Sequence, residues 1–164
     1  MSYTNEAGLQ THIIRKFRKQ YPGIHYRSDW FAGHYCPPHI KEQFNNAQSG
    51  SGYPDLHIIH NNGLYASLYI EVKLDTVFLK DGVTLKYNAH LWEQYLYLEY
   101  LKAQGFAAVF GCGEQHIDNI IQAYMDSRPI FQNIKAAPYI NKHRAASDKA
   151  AKEFQRKYDL DNPE

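Results

Sequence analysis

Two short β-prone runs separated by a glycine turn constrain this chain more than any other feature. Leu56 to Ile59 and Leu64 to Leu74 are rich in apolar residues, and Asn61-Asn62-Gly63 lies between them. Gly63 suits the left-handed position of a three-residue loop, so the runs are expected to pair as an antiparallel hairpin. Because side chains alternate across a strand, Glu71 and Lys73 share one face while Ile70 and Val72 take the other. A three-residue loop sets residue 60 opposite 64 and residue 55 opposite 69, which brings Asp55 onto the face of Glu71 and Lys73. A two-residue loop would send Asp55 to the opposite face.

The flanking sequence supplies helices and further strands. Leu9, Ile13, Ile14, Phe17 and Tyr21 recur at helical spacing, with Asn5 as N-cap and Pro22-Gly23 as the stop. The outer face of this helix carries Arg15, Lys16, Arg18 and Lys19, and Arg27 follows in a short predicted strand, Ile24 to Trp30. Residues 31 to 52 are polar and loop-like, with a short helix expected near Ile40 to Ala47. Asp81-Gly82 marks a second, protruding hairpin between Val77 to Lys80 and Val83 to Lys86. Ala89 to Gln104 is a helix with Leu91, Gln94, Leu98 and Leu101 on one stripe and Gly105 as its stop. Phe106 to Phe110 suits a buried strand. Glu114 to Met125 suits a further helix with Ile117, Ile120, Ile121 and Tyr124 inward. The order is α, β, β, β, α, β, α, a mixed α/β arrangement. A shift in composition after Arg128 divides residues 1–128 from an extension, 129–164, with a helix expected from Ser147 to Tyr158.

At 164 residues and 44% apolar, one domain with a proper core is expected. No run of about 18 apolar residues is present, and Met1 to Gln10 lacks the layout of a signal peptide, so a cytoplasmic protein is expected. Cys36 and Cys112 imply no disulfide framework and fit a reducing compartment. A net charge of +1 excludes nothing about nucleic acid, because the position of cations matters more than their sum.

Asp55 and Glu71 on one face would repel strongly unless a cation lies between them. Hard oxygen donors without any need for Cys or His suggest Mg²⁺ or Mn²⁺. Such an ion can polarise a phosphodiester and acidify a water, with Lys73 orienting that water or offsetting charge on phosphorus. His34, Cys36 and His39 are close in sequence but lack the paired zinc spacings.

Gly52-Tyr53-Pro54-Asp55-Leu56 followed by Tyr69-Ile70-Glu71-Val72-Lys73 resembles the G-x-PD-L and I-E-V-K elements of PD-(D/E)XK nucleases, and most of all the VRR-NUC group. That group also places an acidic residue on the first helix, matched by Glu6, and a glutamine on the helix after the third strand, matched by Gln94. Leu101 and Gly105 match a following L-x3-G step. The resemblance covers roughly residues 5 to 112. It implies a restriction-endonuclease-like αβββαβ core with a mixed sheet, to which this chain adds an inserted hairpin and a C-terminal helical extension. It also implies metal-dependent phosphodiester hydrolysis, with Asp55, Glu71 and the Val72 carbonyl as metal ligands and Glu6 close by.

The resulting expectation is a DNA endonuclease acting through Asp55, Glu71, Lys73 and Gln94, with Arg15, Arg18, Lys19 and Arg27 on the DNA backbone. Branched DNA such as a Holliday junction is the favoured substrate, since stand-alone members of the group resemble junction-cleaving enzymes. Paired cuts on a junction would suit a homodimer, and a bacterial or phage-infected cell would suit a compact nuclease. A sequence-specific restriction-type endonuclease and an inactive nucleic-acid-binding module are the alternatives.

Overall fold

A computed structural model describes residues 3–28 and 53–137. The elements run α1 (Glu6–Gln20), β1 (His25–Ser28), β2 (Leu56–Ile59), β3 (Leu68–Lys73), α2 (Ala89–Ala103), β4 (Ala107–Cys112) and α3 (Glu114–Met125). The expected order is therefore present. The short helix expected at 40–47, the His34, Cys36 and His39 group and the tail helix from 147 lie outside the described residues.

The four strands form one sheet in the order β1-β2-β3-β4, antiparallel across the first three and parallel between β3 and β4. The parallel pair requires a long crossover, and α2 lies within it. β3 is buried on both faces along its whole length, as a central strand in a mixed sheet should be. On one face, Leu56, Ile58, Leu68, Ile70, Val72 and Val109 pack with Leu9, Ile13 and Phe17 of α1 and with the four inward residues of α3. On the other, Tyr69, Ala108 and Phe110 pack with Tyr97, Leu98 and Leu101 of α2. A 15-residue helix such as α1 is marginal alone, and it is held by three buried apolar side chains, Leu9, Ile13 and Phe17, each stabilising by about 1.5–3 kcal/mol.

Local caps define the helix ends. The Asn5 side chain accepts the Gly8 N–H at 2.8 Å, and the Asn88 side chain accepts those of His90 and Leu91.

The first hairpin differs from its sequence expectation. β3 starts at Leu68 rather than Leu64, and His57 rather than Asp55 faces Tyr69. The reason is that side chains hold residues 60–67 as a longer loop. Asn62 Oδ1 accepts the N–H groups of Leu64 and Tyr65, its Nδ2 donates to the Tyr124 carbonyl at 2.8 Å, and the Tyr124 hydroxyl donates to the His60 carbonyl. The pairing thus slides by two residues, which preserves the face of every side chain. Gly63 does take a positive φ, 88°.

The Asp81-Gly82 turn also forms, with the Leu79 N–H donating to Thr84 and the Lys86 N–H to Val77. It does not simply protrude, because Val77, Phe78 and Leu85 are buried beside α2. Residues beyond 128 begin as an edge cover. The Gln132 amide mimics a neighbouring peptide, accepting the Phe110 N–H and donating to the Phe110 carbonyl, each at 2.9 Å.

Gly111 of β4 sits where sheet and α3 meet: a Cβ there would lie 2.6 Å from Ile117 Cγ1 and 2.7 Å from Ile70 Cγ2. Gly111→Ala is expected to destabilise the fold by about 1–3 kcal/mol through overpacking. Urea unfolding would report this as a lower midpoint at unchanged slope, and an unchanged midpoint would show that the isoleucines yield freely.

Candidate active site

The site is assembled at the point where β2 begins and β3 ends. Pro54 brings no N–H to the ladder, and Asp55 Oδ2 accepts the Val72 N–H at 2.8 Å. This bond fixes the Asp55 carboxylate against the Glu71-Val72-Lys73 run. Glu71 and Lys73 project to the α2 side, and Lys73 Nζ lies 3.0 Å from Glu71 Oε1 and 3.6 Å from Glu6 Oε2. From α2, Gln94 Nε2 donates to Glu71 Oε1. Five expected residues, Glu6, Asp55, Glu71, Lys73 and Gln94, therefore form one connected group.

Burial makes this group electrostatically costly. Glu71 is 3% exposed and its carboxyl is pushed up from an ordinary 4.5 to about 8, first by desolvation and then by the Asp55 charge. Desolvation also raises Asp55, against the opposing pull of the Val72 N–H and Lys73. Burial alone would lower Lys73, yet Glu71, Glu6 and Asp55 together hold it above its usual range and keep it cationic. Gln94 Oε1 is buried and has no hydrogen-bond partner among the described residues. An unsatisfied buried amide oxygen and two repelling carboxyls in contact are what a hard cation would relieve. The donor set fits one in that sense. It is a carboxylate pair rather than a larger cluster, since no three His, Cys, Asp or Glu side chains converge on a metal position among the described residues.

The basic residues separate into two regions. Arg15, Arg18 and Lys19 are exposed on α1, which packs on the sheet face opposite α2. Arg18 lies roughly 18 Å along the helix axis from Glu6, at about 1.5 Å rise per residue. Lys16 pairs instead with Asp118 and Glu114 of α3. Arg27 lies on edge strand β1 opposite His57, with its guanidinium 5.7 Å from the centre of the Tyr53 ring. Tyr53 and His57 flank Asp55 in sequence, are 3.0 Å apart at hydroxyl and Nδ1, and extend an aromatic row to Tyr69, on which the His57 ring stacks at 4.0 Å. Sequence patterning gave Tyr53 and His57 no role; their spacing of two on either side of Asp55 was the available signal. It also missed Gln10, whose buried amide donates to the Asp55 carbonyl at 2.9 Å and to the Ser28 hydroxyl at 2.8 Å.

Comparison with known proteins agrees on architecture. A solved structure described as a VRR_NUC domain protein superposes with a TM-score of 0.52 at 22% identity, over 82% of this chain and 98% of that one. The fold is shared. No protein-family model and no curated protein matches the chain. Among the described residues, no helix is long and apolar enough to cross a membrane.

The raised carboxyls give a signed pH dependence. Between about pH 4.5 and about 8 the folded protein holds a Glu71 proton that the unfolded chain has released, so stability falls as pH rises through this window. Asp55 adds a contribution of the same sign. In chelator, the thermal midpoint is expected to decline from about pH 5 to about pH 8, and Glu71→Gln should flatten the decline. A midpoint that rises across that range in the unsubstituted protein would contradict a buried Glu71 carboxyl repelled by Asp55.

Proposed function

We propose that this chain is a Mg²⁺- or Mn²⁺-dependent nuclease of the PD-(D/E)XK type, similar to the VRR-NUC group, that hydrolyses DNA phosphodiester bonds. The observation that carries the reading is a half-buried carboxyl, Asp55, set against the buried carboxyl of Glu71, with a buried lysine 3.0 Å from the latter. A structural ion pair needs one carboxylate for Lys73, not two in mutual contact. The shared fold with a VRR_NUC domain protein supports the same reading.

Asp55, Glu71 and the Val72 carbonyl would hold the ion, with Glu6 at the margin. When bound, the ion would neutralise phosphate charge and lower the pKa of a water molecule. Lys73 supplies a fixed cation beside the reacting phosphate, where it can orient the attacking water and offset charge that grows on the phosphate oxygens. Gln94 holds the Glu71 carboxyl in one rotamer, so less reorganisation is left for the reaction itself. Arg27, held over Tyr53 on the strand beside Asp55, is suited to a backbone phosphate of the substrate.

The decisive experiment is incubation with plasmid, linear duplex, flap, four-way junction and RNA, each with Mg²⁺, Mn²⁺ or EDTA. Cleavage is expected with either metal and not in EDTA. Lys73→Ala should reduce single-turnover cleavage by about 10²–10³-fold while leaving metal binding intact, and Glu71→Gln should impair both. Mn²⁺ should raise the thermal midpoint more at pH 8 than at pH 6, because binding favours the ionised carboxylates. Equal cleavage in EDTA, or an unimpaired Glu71→Gln protein, would sink the assignment.

The DNA contacts have their own test, in the cleavage-deficient Glu71→Gln background. Arg27→Ala should weaken duplex binding and reduce the slope of affinity against salt by about one. Charge reversal of Arg18 and Lys19 tests whether the footprint extends along α1; affinity unchanged at every salt concentration would leave that helix face merely solvated.

A further inference from the structure

Gln10 is 5% exposed and lies on α1 one turn after Glu6, between the apolar residues Leu9 and Ile13 that fasten the helix to the sheet. An amide in that position costs free energy unless it finds partners. Among the described residues its Nε2 donates to the Asp55 carbonyl at 2.9 Å and to the Ser28 hydroxyl at 2.8 Å. Ser28 pairs with Leu56 in the sheet, so one side chain ties α1 to the end of β1 and the start of β2. Asp55 stands just outside the paired residues of β2, after a proline that cannot donate to the ladder, so among the described residues the sheet itself gives its backbone little support. Its carboxylate is aimed by the Val72 N–H from one side; its main chain is held by Gln10 from the other.

We infer that Gln10 is a positioning residue for the metal-binding carboxylate, acting through the Asp55 backbone; this rests on the nuclease reading above. A merely space-filling core amide would affect stability alone. A positioning amide sets where the Asp55 carboxylate sits relative to Glu71, and that separation governs both cation affinity and turnover.

The test uses Gln10→Leu, Ser28→Ala and, as a stability control in the same helix and core, Phe17→Leu. Each protein is assayed by thermal melt, calorimetric Mn²⁺ titration and single-turnover cleavage at saturating Mn²⁺, well below its transition. Gln10→Leu is expected to lose roughly 10–100-fold in Mn²⁺ affinity or rate. Ser28→Ala, which keeps the Asp55 bond, should stay within about twofold, and Phe17→Leu should lose midpoint without losing rate. In an Asp55→Asn background, Gln10→Leu should weaken Mn²⁺ binding no further, because the group it positions has already been altered.

Wild-type affinity and rate in Gln10→Leu would overturn the inference, as would losses no larger than those of Phe17→Leu, or an undiminished effect in the Asp55→Asn background. Should Gln10→Leu fail to fold, Gln10→Glu keeps the volume, removes the N–H donors and decides between the same outcomes. Wild-type protein that binds Mn²⁺ but cuts no substrate would overturn the nuclease reading alone, and the titrations would still decide the role of Gln10. Wild-type protein that binds no Mn²⁺ would overturn both.

Discussion

Glu71 occupies the central strand of a sheet covered on both faces, where an ionised carboxylate is expensive and a second carboxyl in contact makes it more so. Much of the surrounding structure bears on that one group. Lys73 offsets its charge, Gln94 donates to it, and the Val72 N–H draws Asp55 into the same few ångströms. The apolar residues of the same strand make the arrangement affordable: Leu68, Ile70 and Val72 are buried between α1 and α3, so the polar face of β3 is carried by the packing of the other. Strand alternation is what lets a single segment do both.

That alternation is also why the centre of the site is legible in sequence. The face shared by Asp55, Glu71 and Lys73 depends only on the parity of the hairpin register, and a slide of two residues leaves parity unchanged. The longer loop at 60–67 is not legible, because it depends on Tyr124, more than fifty positions away, meeting Asn62 and the His60 carbonyl. Helical periodicity likewise places α1, α2 and α3 and their buried stripes without indicating partners. Lys16 looks like one more surface cation until α3 brings Asp118 and Glu114 against it. Gln10 looks like a polar residue misplaced beside the apolar stripe until β1 and β2 converge on it.

Arg27 illustrates the same limit from the other direction. Sequence groups it with the cations of α1 because all are basic and close in the chain, but the sheet separates them. Arg27 joins Tyr53 and His57 on the side of Asp55, whereas Arg18 and Lys19 stand in the last turn of a helix on the opposite layer. In that turn a cation already has a local explanation, favourable interaction with the helix C-terminal dipole. Arg27 has no such explanation on an edge strand. Its guanidinium is oriented by a ring that belongs to the same loop as Asp55, which is a more specific arrangement than a solvated cationic face.

The role of α1 follows from combining these constraints. Its apolar residues fix the helix against Ile70 and Val72, which fixes its axial position relative to β3. Once that position is set, side chains one turn apart reach two different parts of the site: Glu6 extends past the sheet end to Lys73, and Gln10 reaches the Asp55 main chain. Residues at i and i+4 lie on one helix face, so neither contact can be adjusted independently of the other. A shift of α1 by a fraction of a turn would therefore disturb the lysine and the carboxylate together, which ties the geometry of the charged group to the packing of Leu9 and Ile13, the apolar neighbours of Gln10 on the layer beneath it.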